Sequence, residues 1–223
     1  SNIKLFEHKK LVKTYYVGDA TMDNMGTYML MEDADDPFIV HIPGFRGFLS
    51  SRYGAIENDW RDHTLVHTEI SMIKSVKIEF KENPDSSYIV TNKGKSDFSL
   101  TQIPSGRVIT NYETVLLFDF LSKFRVLRFE NLITDFTLHN KDSIIKSTPF
   151  VVLTITDMAG KVTGLKTFHK KANPDATELD GSSSLYDRDR LYVLFNKGKD
   201  FALIQFYVFD HVLRPLRYFT KQK

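Results

Sequence analysis

At 223 residues, with 42% hydrophobic and 26% charged side chains, the chain is long enough for one large domain or two small ones with a real core. Thirty basic residues against 28 acidic ones leave a net charge of only +2, which argues against a dedicated nucleic-acid binder. The absence of cysteine excludes disulfides, thiolate nucleophiles, zinc–thiolate sites and iron–sulfur clusters.

The chain opens at Ser1-Asn2 without Met. That opening reads as a tag remnant, so a native N-terminal segment is expected to precede it. Apolar runs such as residues 150–153 stop at four or five residues. A bilayer-crossing helix needs about 20, so no membrane span is expected.

Period-two alternation predicts strands at 12–17, 27–31 and 38–42, with a polar loop at 18–26 and a turn at 33–37. The stretch 44–60 follows. It crowds Phe45, Arg46, Phe48, Arg52, Tyr53 and Trp60 around Gly44, Gly47 and Gly54. Arginine and aromatic side chains combine contact area with directed hydrogen bonds, so Phe45, Arg46, Arg52, Tyr53 and Trp60 are candidate binding residues. The competing reading makes the aromatics core residues around a bent strand, with the arginines paired to acids.

Residues 76–80 alternate cleanly and predict a half-buried strand, ended by a turn at Asn83-Pro84-Asp85. Thr110 and Glu113 have the spacing of a capping box, and Leu117, Phe120, Leu121 and Phe124 supply the stripe of the helix it would start. Residues 150–156 and 162–168 flank a turn with Gly160, a hairpin. Residues 171–190 are polar and read as an exposed loop. A second helix is predicted at 207–213, stopped by Pro215.

Two segments match. Residues 88–102 and 192–205 share nine identical positions across one gap at Ser96, and each reads as strand, Asn-Lys-Gly-Lys turn and strand. Each precedes an aromatic helix, and Phe118-Asp119 echoes Phe209-Asp210. The expectation is a duplicated β-hairpin-plus-helix unit in an α+β, β-rich antiparallel fold. Convergence on a favoured turn is the alternative. The turn lysines Lys93, Lys95, Lys197 and Lys199 could meet an anionic partner, or simply be solvated tips. The expected organisation is an N-terminal β-rich segment at 1–69 and hairpin-plus-helix units at 70–148 and 149–223, together one compact domain.

Tyr15-Tyr16-Val17-Gly18-Asp19, Met25-Gly26-Thr27-Tyr28 and residues 41–53 (His41-Ile42-Pro43-Gly44-Phe45-Arg46-Gly47-Phe48-Leu49-Ser50-Ser51-Arg52-Tyr53), together with 188–219, resemble a domain-of-unknown-function family of envelope proteins from Bacteroidetes-type bacteria. The resemblance implies a periplasmic or outer-surface location, a lipid anchor outside this chain, and an envelope protein or transporter component as partner, since some relatives are associated with ABC-type export or gliding systems. It carries over no catalytic residue.

Gly94-Lys95-Ser96 ends like a phosphate loop, but Ile89 stands where the upstream glycine is required, and a strand follows instead of a helix. No G-x-S-x-G elbow supports serine hydrolysis; Ser182 to Ser184 sit in a polar loop. His63 and His67, four apart, would share one face of a helix, but Thr64, Val66 and Thr68 favour an extended chain, in which the two could still share a face; surface histidines are the competing reading. The acids Asp33, Asp35 and Asp36, and Asp180, Asp187 and Asp189, lack the spacing of a known calcium loop and read as solvated turn acids. No cofactor, metal or nucleic acid is expected. The residues point to a non-catalytic binding or scaffolding domain; the alternative is an envelope hydrolase or carbohydrate-active enzyme.

Overall fold

Alternating segments form antiparallel ribbons throughout the computed structural model, which describes residues 1–54, 57–94, 97–133, 140–178 and 180–220. The ribbons belong to two units, Ser1–Arg61 and Asp62–Lys223. Lys95 and Ser96, of the first matching hairpin, lie outside the described residues.

The first unit is a four-stranded meander of β1 (Asn2–Glu7), β2 (Lys10–Ala20), β3 (Thr27–Met31) and β4 (Phe38–Val40), paired in chain order. His8 and Lys9 both take positive φ, the geometry of a two-residue turn whose twist suits a hairpin. Strand β2 runs on to Ala20 because Ala20 pairs with Thr27, so the expected loop 18–26 shortens to the turn between them. Strand β4 stops at Val40, short of the expected 42. Pairing puts Val17, Met29 and Phe38 on one face, and Tyr16, Leu30, Tyr28 and Ile39 on the other. A short helix α1 (Glu57–Trp60) closes the unit. Among its described residues, only Val17 and Leu49 are buried hydrophobics.

The second unit is built on one nine-stranded antiparallel sheet. Its strands in chain order are β6 (Ile73–Phe80), β7 (Tyr88–Asn92), β8 (Phe98–Gln102), β9 (Val108–Ile109), β11 (Asn131–Leu132), β12 (Val151–Asp157), β13 (Val162–Lys171), β14 (Tyr186–Phe195) and β15 (Asp200–Gln205). Their spatial order is β11-β15-β14-β13-β12-β6-β7-β8-β9. A separate ribbon pairs β5 (Thr64–Val66) with β10 (Leu127–Arg128). Alternation in β6 and β12 turns Val76, Ile78, Val151, Leu153 and Ile155 to one face. There they pack with Leu117, Phe120 and Leu121 of α2 (Thr114–Ser122), and with Phe209, Val212 and Phe219. On a smaller second cluster, Phe168, Tyr192, Leu194 and Phe201 meet Ile144 and Ile145 of α3 (Lys141–Lys146).

Three further expectations are corrected. The capping box at Thr110 does not form: α2 begins at Thr114, and Glu113 precedes it in extended geometry without a side-chain cap. The Glu113 N–H instead donates to the Phe219 carbonyl, and Tyr112 bridges Thr220, so long-range pairing takes the groups the box would have used. The buried stripe itself stands, with Phe124 in the 3₁₀ turn after the helix. The loop 171–190 ends early, because Tyr186 pairs with Lys171 and opens β14. The second helix, α4, spans Phe206–Phe209; beyond it, Val212 and Leu213 N–H groups fold back onto the Phe209 carbonyl.

The two matching segments are both antiparallel hairpins of the nine-stranded sheet, with different internal pairing. Tyr88 faces Gln102, whereas Tyr192 faces Leu203. Tyr88, Val90 and Phe98 point into the large core, while the aligned Tyr192, Leu194 and Phe201 belong to the smaller cluster. The helix-like segment follows β15 directly, but β9 intervenes before α2.

Candidate functional site

The loop between β2 and β3 is tied up by its own polar groups. The Gly26 N–H donates to the Thr21 hydroxyl, the Thr21 N–H to the Gly26 carbonyl, and the Thr21 hydroxyl and Met25 N–H to the Asp23 carboxylate. Those bonds, the Thr21 hydroxyl first and the Met25 N–H second, hold the Asp23 carboxyl below its ordinary pKa. The loop presents Met22 with its side chain wholly in solvent and Met25 beside it.

After β4, Ile42-Pro43-Gly44-Phe45 forms a turn in which the Phe45 N–H donates to the Ile42 carbonyl at 3.0 Å. Gly44 at φ 79° supplies the positive φ that the third position of a type II turn requires, and proline is common at its second position. The turn brings Phe45 and Arg46 to a hollow of about 760 Å³, whose apolar wall is Met22, Met25, Tyr28, Ile39 and Ile42. Asp23, His41 and Arg46 are its acidic and basic groups.

The five candidate residues do not share one site. Phe45 and Arg46 line this hollow, and the Arg52 guanidinium lies 5.2 Å from the Phe45 ring centroid. Tyr53 lines a different hollow of about 460 Å³ with Tyr15, Met29 and Phe38, and meets the Tyr15 ring edge-on. Trp60 lines neither; its indole N–H donates to the Gly54 carbonyl at 2.6 Å. Phe45, Phe48 and Trp60 are 38%, 39% and 62% exposed, so they are not core residues. Sequence reasoning missed Met22, Met25, Tyr28, Ile39 and Ile42. The available signal was apolar residues on both faces of β3 and β4, too many for a sheet with one solvated side.

In the second unit, among the described residues, no three His, Asp or Glu side chains converge on a metal position. His63 stacks on Phe129 at 4.4 Å, and His67 is exposed. Asp187 pairs with Lys170 at 2.7 Å and ties β14 to β13, while Asp180 accepts from Ser182 and braces its own loop. A small hollow of about 180 Å³ gathers Asp62, His67, Asp157 and Lys161. Each carboxylate already accepts a backbone N–H, from Thr64 at 2.9 Å and Lys161 at 2.8 Å respectively.

No helix of the described residues is long and apolar enough to cross a membrane. No protein-family model, curated protein or solved structure matches the chain.

Proposed function

We propose that the chain is a non-catalytic binding domain of a bacterial envelope protein, periplasmic or outer-surface and lipid-anchored. In this reading the unit Ser1–Arg61 docks an apolar segment of a partner protein, such as a transporter component. One observation carries it. Fourteen of the 24 large hydrophobics that stand exposed among the described residues fall within residues 1–61, where only Val17 and Leu49 are buried hydrophobics. Large apolar side chains left exposed in such number on a folded unit mark an interaction site, and Met-lined surfaces adapt well to a partner's side chains.

The edge of the sheet argues for the mode of docking. Strand β4 has three residues, with Pro37 before it and Pro43 soon after. Short, proline-flanked edges resist strand addition. Side chains entering the hollow beside Ile39 and Phe45 fit this edge better than a fifth strand does.

The duplicated hairpin-plus-helix origin of the second unit belongs to the same proposal. Nine matched positions support it, and the opposite facing of Tyr88 and Tyr192 weighs against it.

The docking reading is tested by placing a photo-crosslinking side chain at Met22 or Ile39 in the full chain, with Ser99 of β8 as control. The expected result is one defined protein adduct at the first two positions and none at Ser99, lost in an Ile39→Glu, Phe45→Glu variant that still folds. Equal labelling at all three positions, or an adduct indifferent to the double substitution, discards it.

A further inference from the structure

Two hollows adjoin within the second unit. The larger, about 720 Å³, is bounded by β5, the start of β13 and the turn between β14 and β15; the smaller is the 180 Å³ hollow with Asp62 and Asp157. Thr64, Leu65, Lys161 and Thr163 line both, so the two form one cleft.

Its charged groups run from one hollow into the other. At the larger end stand Lys161 and Lys197, from two different hairpin turns, and neither ammonium has an ion-pair partner among the described residues. At the smaller end stand the two carboxylates and His67, with Lys161, which lines both hollows, at the junction. A carboxylate offers about four acceptor positions, so the Thr64 N–H and hydroxyl on Asp62 and the Lys161 N–H on Asp157 leave both able to receive a cation. Leu65, Leu165 and Phe195 give the larger hollow an apolar floor.

The turn that carries Lys197 is held in an unfavourable backbone state. Asn196, Lys197 and Gly198 have φ of 50°, 57° and 85° in succession. For a residue with a Cβ this conformation costs roughly 1–2 kcal/mol. The Asn196 side chain donates to Asp200 at 3.0 Å and braces the turn.

We infer that this cleft binds a small zwitterionic molecule, its ammonium group received by Asp62 and Asp157 and its carboxylate by Lys161 and Lys197. The apolar floor takes the methylene chain between them. A ligand with one charge satisfies one end and leaves the other solvated, so the cleft selects for both charges at a fixed spacing. The site uses no residue of the docking surface and stands or falls apart from it.

The test is calorimetric titration of the full chain with unbranched ω-amino acids, from glycine to 6-aminohexanoate. The alkyl carboxylate and alkylamine of each length serve as single-charge probes. One length is expected to bind best, about tenfold tighter than either single-charge analogue, with Lys197→Gln and Asp157→Asn each weakening it about tenfold. Asparagine at 157 keeps the oxygen that accepts the Lys161 N–H, and an unchanged unfolding midpoint reports an intact fold. The inference is overturned if no member of the series binds, if a carboxylate or amine alone binds as tightly, or if both folded variants bind like the parent.

Discussion

Tyr88 and Phe219, far apart in the chain, meet edge to face with ring centroids 5.2 Å apart, and Phe120 closes the triangle at 6.0 and 5.2 Å. The cluster joins β7, α2 and the C-terminal turn, and all three rings are almost wholly buried. Phe219→Ala removes the ring that holds the last turn against the sheet, at an expected cost of about 3–5 kcal/mol. Tyr88→Phe keeps the ring and loses only the hydroxyl that donates to the Arg214 carbonyl at 3.1 Å, an expected cost of about 1 kcal/mol. Urea unfolding of both variants checks the ratio. Equal losses would mean that the hydroxyl, not the packing, anchors the terminus.

Gly26 and Ile39 set the floor of the first unit's hollow. A Cβ on Gly26 would sit 2.5 Å from the Ile39 Cγ2, closer than real contacts allow. Gly26→Ala is therefore expected to destabilise the β3–β4 ribbon by about 1–3 kcal/mol. Adding Ile39→Ala removes the colliding atom and should recover much of the loss. Hydrogen exchange at the amides of β3, for each single variant and the pair, reads this coupling directly.

His169 lies between Phe150 and Tyr186, each ring centroid 4.3 Å away. Burial lowers its pKa below the ordinary value, while Glu82 pulls the other way. The folded chain thus prefers neutral imidazole. Its contribution is complete above the unfolded pKa of about 6.5 and is lost as pH falls through the lower folded value. His169→Phe keeps the ring stack and cannot titrate, so its stability should decline less than the parent's between pH 7 and pH 5. The difference is small, because partial exposure screens the charge. A steeper decline in the variant would reverse the assignment.

Strand positions were legible where one face is buried, because alternation in 76–80 and 150–156 reports the core side directly. The helix start was not. Thr110 and Glu113 carry the right chemistry at the right spacing, but the Glu113 N–H goes to Phe219, a partner no local pattern announces. The matching hairpins show the same limit. Residues 88–102 and 192–205 spell the same ribbon, yet which side of each ribbon meets a core is decided by the strands and helices around it. At the candidate site, Phe45 and Arg46 could be named from composition. Met22 and Ile39 could not, because only pairing across the sheet brings them beside the type II turn.

Lys197 is the residue at which stability and binding should part. Glycine adopts φ near 57° without a Cβ penalty, so Lys197→Gly is expected to raise unfolding stability by about 0.5–1 kcal/mol after allowing for glycine's extra freedom in the unfolded chain. The same change deletes one of the two ammonium groups at the larger end of the cleft. A more stable chain that has lost zwitterion binding would identify the left-handed backbone as strain maintained for the lysine. Had the turn required lysine only for its own folding, the glycine variant would unfold more readily than the parent. Thermal unfolding and titration on one preparation therefore decide between a ligand-holding turn and a merely structural one.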